Sequence, residues 1–203
     1  IVEAMGLTES ASIAFANPLD RDKRKHGSVG LPLGVEARVV ASDGTVLDNG
    51  ARGELQLRGP SVMQGYYKEP ELTASTMTRD GWLATGDLGY RDEDGYYFVT
   101  GRLKELIIKG GENIAPREID EALLKHPAVL EAAAVGVADP HYGQEIAACV
   151  VLKGGVACTE QALRAHCLRE LGPYKTPKVL RLVADLPKGP SGKVQRLRLL
   201  ELL

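Results

Sequence analysis

Cysteine is scarce in this 203-residue chain. The three present, Cys149, Cys158 and Cys167, stand nine residues apart, which fits neither a C-x-x-C redox pair nor a zinc-ligand spacing. An odd number of thiols without a framework predicts a reducing, cytoplasmic setting. Charge of one sign is missing too. With 25 basic and 27 acidic residues the net charge is −2, so there is no electrostatic ground for a nucleic-acid partner or a polybasic membrane face. No apolar run reaches bilayer length: residues 132–138 are interrupted by Gly136, and residues 146–152 are only strand-sized. No transmembrane segment is therefore expected. The opening IVEAMGLTES has no cationic stretch, apolar core or small-residue cleavage site of a signal peptide, and no initiator Met. Internal repeats and low-complexity tracts are also missing. His26, His126, His141 and His166 form no cluster in the sequence, so each is expected on the surface or in packing.

What is there is an ordinary folded composition, 44% hydrophobic and 26% charged, in a length that suits one large domain or two small ones. The 23 glycines and 11 prolines punctuate it heavily. The first half reads as short strands. VEARVV (35–40) is followed by Asp-Gly and Asp-Asn-Gly turns. GELQLRG (53–59) then alternates Leu55 and Leu57 with Glu54, Gln56 and Arg58, the pattern of a half-buried antiparallel strand. RDEDGYYFVTG (91–101) repeats that arrangement around an Asp94-Gly95 turn.

The second half alternates helix and strand. Pro116 opens a helix whose Ile119, Leu123 and Leu124 share a face, with acids in its first turn. Residues 132–139 and 146–153 read as buried strands. Thr159 caps a helix through Leu171, stopped by Gly172-Pro173, and residues 178–187 form a further strand. The last ten residues, VQRLRLLELL, read as a helix. The joint between the two halves is GRLKELIIKGGEN (101–113).

Four clusters place reactive groups in unusual company. In MGLTES (5–10), the Thr8 hydroxyl beside the Glu9 carboxylate can hold a hard cation or phosphate oxygens, or can be an exposed turn. In WLATGDLGY (82–90), Gly86 and Gly89 flank Asp87. The backbone there can approach a ligand whose neighbouring hydroxyls the carboxylate accepts, although an Asx-turn satisfies the same pattern. Gly110-Gly111 at the joint either admits something narrow against the main chain or forms the tip of a hairpin. In LPKGPSGKVQR (186–196), Lys193 follows a Gly-Pro-Ser-Gly loop suited to anions; the P-loop order G-x-x-x-x-G-K-[ST] is not present, and a solvated lysine is the alternative.

Taken together, GLTE, TGDLG, GRLKELI-x-x-GGENI-x-P-x-EI and LPK-x-x-SGK-x-x-R, in that order and over nearly the whole chain, resemble the AMP-forming acyl-CoA synthetases. These belong to the adenylate-forming superfamily that also holds luciferases and peptide-synthetase adenylation domains. The resemblance implies an α/β and α+β fold. Residues 1–103 would be the β-rich end of a large N-terminal domain, and residues 104–203 a small, mobile α+β lid domain.

It further implies an ATP-dependent acid–CoA ligase that forms an acyl-adenylate and then a thioester. ATP, Mg²⁺, coenzyme A and a small carboxylic acid would be its ligands. By position, Thr8 contacts the adenylate phosphate, Glu9 holds Mg²⁺, Asp87 binds the ribose hydroxyls and Arg102 supports the same sugar. Met5 and Gly6 complete the nucleotide site, with Met5 departing from the usual adenine-stacking aromatic. Lys104 takes the hinge position. Gly110, Gly111 and Glu112 line the path of the thiol-bearing arm, and Lys193 is the lysine of adenylation, with Gly189 in place of a common Thr. The family's phosphate loop and acyl pocket are not found here. Ile1 is therefore expected to begin mid-enzyme, the missing N-terminal part of the same protein being needed for activity. An adenylation domain serving a carrier protein and a non-catalytic interaction module are the alternatives.

Overall fold

The computed structural model describes all 203 residues, which fall into two compact units, Ile1–Leu103 and Lys104–Leu203. In the first, β1 (Ala4–Leu7), β2 (Ser12–Ala16) and β3 (Leu31–Pro32) form a small antiparallel sheet. A second sheet follows as a meander of β4 (Glu36–Val40), β5 (Gly53–Arg58), β6 (Leu83–Arg91) and β7 (Tyr97–Arg102). Tyr97 joins the two: its backbone N–H and C=O pair with Gly30 and Val29, its hydroxyl donates to the Ala37 carbonyl, and its ring packs 4.9 Å from that of Phe15. Phe15, Leu55, Leu57 and Leu83 complete this core.

The alternation along β5 holds for Leu55 and Leu57, but Gln56 is buried as well. Its amide oxygen accepts from Arg38 Nε, and the Arg38 and Arg58 guanidinium groups lie 4.2 and 4.5 Å from the Trp82 ring. Polar and cationic side chains thus roof the outer face of the strand. A helix, α1 (Pro70–Thr76), interrupts the run of strands where none was expected. Its sequence PELTAST carries no apolar stripe, and the Thr73, Ser75 and Thr76 hydroxyls bond back to carbonyls three or four residues earlier, so nothing periodic announced it.

The second unit begins with a hairpin of β8 (Ile107–Lys109) and β9 (Glu112–Ile114), then α2 (Pro116–Leu124), β10 (Val129–Asp139), β11 (Gly143–Leu152), α3 (Glu160–Lys175) and β12 (Val179–Leu182). Strand β11 is central, antiparallel to β10 and parallel to β12. Its residues alternate between two cores. Ile146, Ala148 and Val150 pack with Ile119, Leu123, Leu163 and Cys167, whereas Ala147, Cys149 and Val151 pack with Leu186 and Leu199. Burial on both faces explains the unbroken apolar run of that strand.

Several details depart from the sequence reading, among them β12, which ends at Leu182 and not at 187. Leu124 is exposed, so the apolar face of α2 is Ile119, Ala122 and Leu123. The C-terminal segment forms a 3₁₀ helix, Arg196–Glu201. Arg196 and Leu199, three residues apart, are both anchored inward, a spacing that eclipses side chains in a 3₁₀ helix. Finally, the His126 and His166 rings meet edge to face at 5.1 Å where α2 packs on α3, a contact that their separation in the sequence concealed. No helix is long and apolar enough to cross a membrane.

Candidate functional site

Within the first unit, β1 runs into a single 3₁₀ turn, Thr8–Ser10, closed by the Ser10 hydroxyl on the Leu7 and Ser12 carbonyls. Thr8 is exposed at its start and Glu9 half-buried behind it. The Tyr66 hydroxyl donates to Glu9 Oε1 at 2.8 Å, and Met63 N–H donates to the Glu9 carbonyl at 2.7 Å. That bond to the carboxylate holds the Tyr66 phenol above its ordinary value, with burial adding to it. Sequence reasoning missed Tyr66, 57 positions from Glu9 along the chain. Met5 is half-buried and packs against the core cluster of Phe15 and Tyr97, so most of its thioether serves the fold. Gly6 lies where a Cβ would come within 2.5 Å of the Ser12 carbonyl oxygen, at the bulge in the β1–β2 register.

Asp87 sits on β6 directly across from Arg102 on β7, and Arg102 Nε donates to Asp87 Oδ1 at 2.9 Å. The carboxylate is 5% exposed and the guanidinium 59%. The register thus brings together the two residues assigned to one sugar. The flanking glycines have other employment. Gly86 N–H donates to Glu54 Oε1, and a Cβ on Gly89 would lie 2.3 Å from the Phe98 carbonyl oxygen, so Gly89 serves the approach of β7.

In the second unit, Lys104 is exposed in the 3₁₀ turn Leu103–Glu105 that opens it. Gly110 and Gly111 form the two-residue tip of the β8–β9 hairpin, both with positive φ (55° and 86°), as a tight twisted turn requires. Glu112, the next residue, is exposed. Lys193 is exposed and makes no ion pair. Its loop is a small hairpin rather than a helix N-terminus: Gly189 N–H donates to the Lys193 carbonyl, and Gly192 N–H to the Gly189 carbonyl. Those two amides are consumed by the turn, and the exposed Lys193 ammonium stands beside it. Arg196, from the same motif, is drawn inward to Asp120, Glu105 and the Ala134 carbonyl.

There is no cluster of three His, Cys, Asp or Glu residues that could hold a metal by themselves. Glu9 supplies one carboxylate, oriented by Tyr66. Mg²⁺ is commonly held by one or two carboxylates with substrate phosphates and water completing an octahedron, so the residues fit an ion brought with a nucleotide.

Residues 1–67 match the family model described as AMP-binding enzyme, and residues 118–193 that of the AMP-binding enzyme C-terminal domain. Over 200 residues the chain is 64% identical to the sulfoacetate–CoA ligase of Cupriavidus necator, covering 98% of this chain. The chain belongs to the AMP-binding enzymes. Among solved structures it is similar to ATP-bound MatB from Rhodopseudomonas palustris (TM-score 0.93, 38% identity, the whole of this chain and 40% of that one). It is also similar to the o-succinylbenzoate–CoA synthetase of Bacillus subtilis in complex with its acyl-adenylate intermediate (TM-score 0.88, 35% identity, 98% of this chain and 40% of that one). The chain spans 39% of the length of the sulfoacetate–CoA ligase.

Proposed function

We propose that this chain is part of an ATP-dependent acid–CoA ligase. The observation that carries the reading is the Asp87–Arg102 pair, a buried carboxylate aligned by strand register with an arginine at 2.9 Å, where the motif order calls for a ribose site. In the first half-reaction the substrate carboxylate attacks the α-phosphorus of ATP and pyrophosphate leaves. In the second, a thiol sulfur attacks the acyl carbon and AMP leaves. Asp87 and Arg102 hold the ribose, Thr8 donates to the phosphate, and Met5 and Gly6 shape the wall near the base. Mg²⁺, held by Glu9, would neutralise charge on the phosphates. Lys193 places its ammonium between the carboxylate and the α-phosphate, where negative charge builds up. Lys104 is the pivot of the second unit, and Gly110, Gly111 and Glu112 border the thiol-bearing arm.

The 64% identity to a sulfoacetate–CoA ligase supports a short acid with a second anionic group as substrate. A reducing, cytoplasmic setting belongs to the same proposal, in keeping with three unpaired cysteines. The test is exchange of labelled pyrophosphate into ATP by the full-length protein, with sulfoacetate and a panel of short acids. Exchange is expected only with the cognate acid, and Lys193→Ala should lower it by roughly 10²–10³-fold. Exchange undiminished by that substitution, or no exchange with any acid, overturns the reading. The 203-residue chain alone is expected to form no thioester.

A further inference from the structure

The Gly110-Gly111 tip is pinned at its base by a buried ion pair that lies outside the nucleotide and adenylation residues. Lys109 Nζ lies 2.9 Å from Glu145 Oε1, the two side chains being 7% and 6% exposed. The same ammonium donates to the Tyr174 carbonyl at 2.8 Å, and the Tyr174 hydroxyl donates back to the Lys109 carbonyl. Glu145 Oε2 accepts from Ile146 N–H, so both oxygens are engaged. Around the ammonium stand the rings of Tyr174 and Tyr142, with centroids at 4.8 and 5.4 Å. Gly110 N–H donates to the Tyr142 carbonyl, and a Cβ on Gly110 would lie 3.0 Å from the Tyr174 hydroxyl, so the two tyrosines wall one side of the tip.

Strand β8 meets β11 in register at one pair only, Lys109 with Gly143. The hairpin is therefore not oriented by a ladder. Ile107 and Ile114 seat the base of the hairpin in the core, and the peg at Lys109 aims its far end, together with the Gln144 side chain, which accepts from Ile108 N–H. The break in α3 at Gly172 (φ 73°, ψ 174°) lies two residues before the carbonyl that receives the peg. A buried ion pair adds little net stability over apolar side chains of equal volume, because desolvation offsets the attraction. What it supplies is direction: an ammonium with three donors, two of them spent on Glu145 and Tyr174, fixes where the strand end points.

We propose that Lys109, held by Glu145, is a positioning residue that aims the Gly110-Gly111 tip for thiol transfer and takes no part in adenylate formation. The inference rests on the acid–CoA ligase reading. In the transfer step the C–S bond forms and the C–O bond to the AMP phosphate breaks. AMP departs with the bonding pair, and the thiol proton passes to solvent. Misplacing a wall of the thiol path by an ångström alters the approach of sulfur and leaves the attack on ATP untouched.

The experiment compares full-length wild type, Lys109→Met and Glu145→Gln in two assays: acid-dependent pyrophosphate exchange, and CoA thioester formation over a range of CoA concentrations. Amide hydrogen exchange of residues 107–114 gives a third readout. The expected result is exchange within twofold of wild type, thioester formation reduced at least tenfold with a raised KM for CoA, and faster amide exchange at the tip. Glu145→Gln, which keeps an acceptor for Lys109, should show the same pattern more weakly. Equal loss of both half-reactions in both variants would mark the pair as merely structural and overturn the proposal, as would unchanged thioester formation in either variant whose tip amides exchange faster. Unchanged behaviour in all three readouts overturns it too. If wild type performs neither half-reaction with any acid, the ligase reading itself fails, which is a distinguishable outcome.

Discussion

Asp87 and Arg102 divide their contributions unequally. With the guanidinium 59% exposed, the ion pair is screened by solvent and adds roughly 0–1 kcal/mol to folding. Arg102→Ala should therefore cost little through the attraction itself, any fall in melting temperature coming from the buried Asp87 carboxylate left with one partner fewer. A ligand hydroxyl donating to the buried carboxylate is a charge-assisted bond of about 1.5–3 kcal/mol. Asp87→Asn is thus expected to weaken AMP binding to the full-length protein about 10–100-fold by calorimetry, and undiminished affinity would remove Asp87 from the nucleotide site. The cysteines give a simpler check on burial. Cys149 and Cys167 are buried and Cys158 is not; burial pushes the Cys149 thiol up and the Cys167 thiol up to about 11. At pH 8 an alkylating reagent should label Cys158 first, as read by peptide mass mapping, with the other two labelled only after unfolding. Rapid labelling of Cys167 in the native protein would contradict the packing of α3 on the sheet.

At the level of elements, the turns carry the testable strain. Gly172 lies at φ 73°, ψ 174°, a region essentially restricted to glycine, so Gly172→Ala should destabilise the second unit by about 1–3 kcal/mol in urea. Gly154→Ala, with nothing within 4 Å and no positive φ, should be nearly neutral. Asp139 closes the β10–β11 turn. Its Oδ2 accepts from Lys178 Nζ and its Oδ1 from the His141 and Tyr142 amides, and these bonds, Lys178 first, hold the carboxyl well below the usual range. A depressed carboxyl stabilises the fold above its unfolded pKa of about 4, and that contribution fades as pH falls further. Asp139→Asn should accordingly lower the melting temperature at pH 7, the gap from wild type narrowing below pH 4; a pH-independent gap would assign the loss to something other than charge. These elements also show what the sequence could tell. The Thr159 cap, the break at Gly172-Pro173 (though helix resumes beyond it to Lys175) and the Gly110-Gly111 turn were legible because each is local chemistry within a few residues. Helix α1 was hidden for want of an apolar period. Tyr66 behind Glu9, Glu145 beside Lys109 and the His126–His166 contact were hidden because each partner arrives from a distant part of the chain, and only tertiary packing sets the distance.

At the scale of the whole molecule, each unit owns its core. Every member of the two clusters around β11 lies between Ile107 and Leu203, and every member of the Phe15–Tyr97 cluster lies before Leu103. The second unit, Lys104–Leu203, covers both faces of its central strand, with α2 and α3 on one side and Leu186 and Leu199 on the other. It also ties its own ends together: Arg196, near the C-terminus, bonds Glu105 at the start of the unit and Asp120 on α2. A chain of about a hundred residues with a closed core is within the range that folds alone. Residues 104–203 expressed by themselves are therefore expected to unfold in urea as a single cooperative transition, with coincident far- and near-ultraviolet circular dichroism. Deleting residues 199–203 should lower the urea midpoint markedly, because Leu199 and Leu203 are then lost from the second face of β11 and Leu186 with its neighbours covers it alone. A compact, dye-binding state without near-ultraviolet signal in the intact 104–203 piece would show instead that this core is completed by residues outside it.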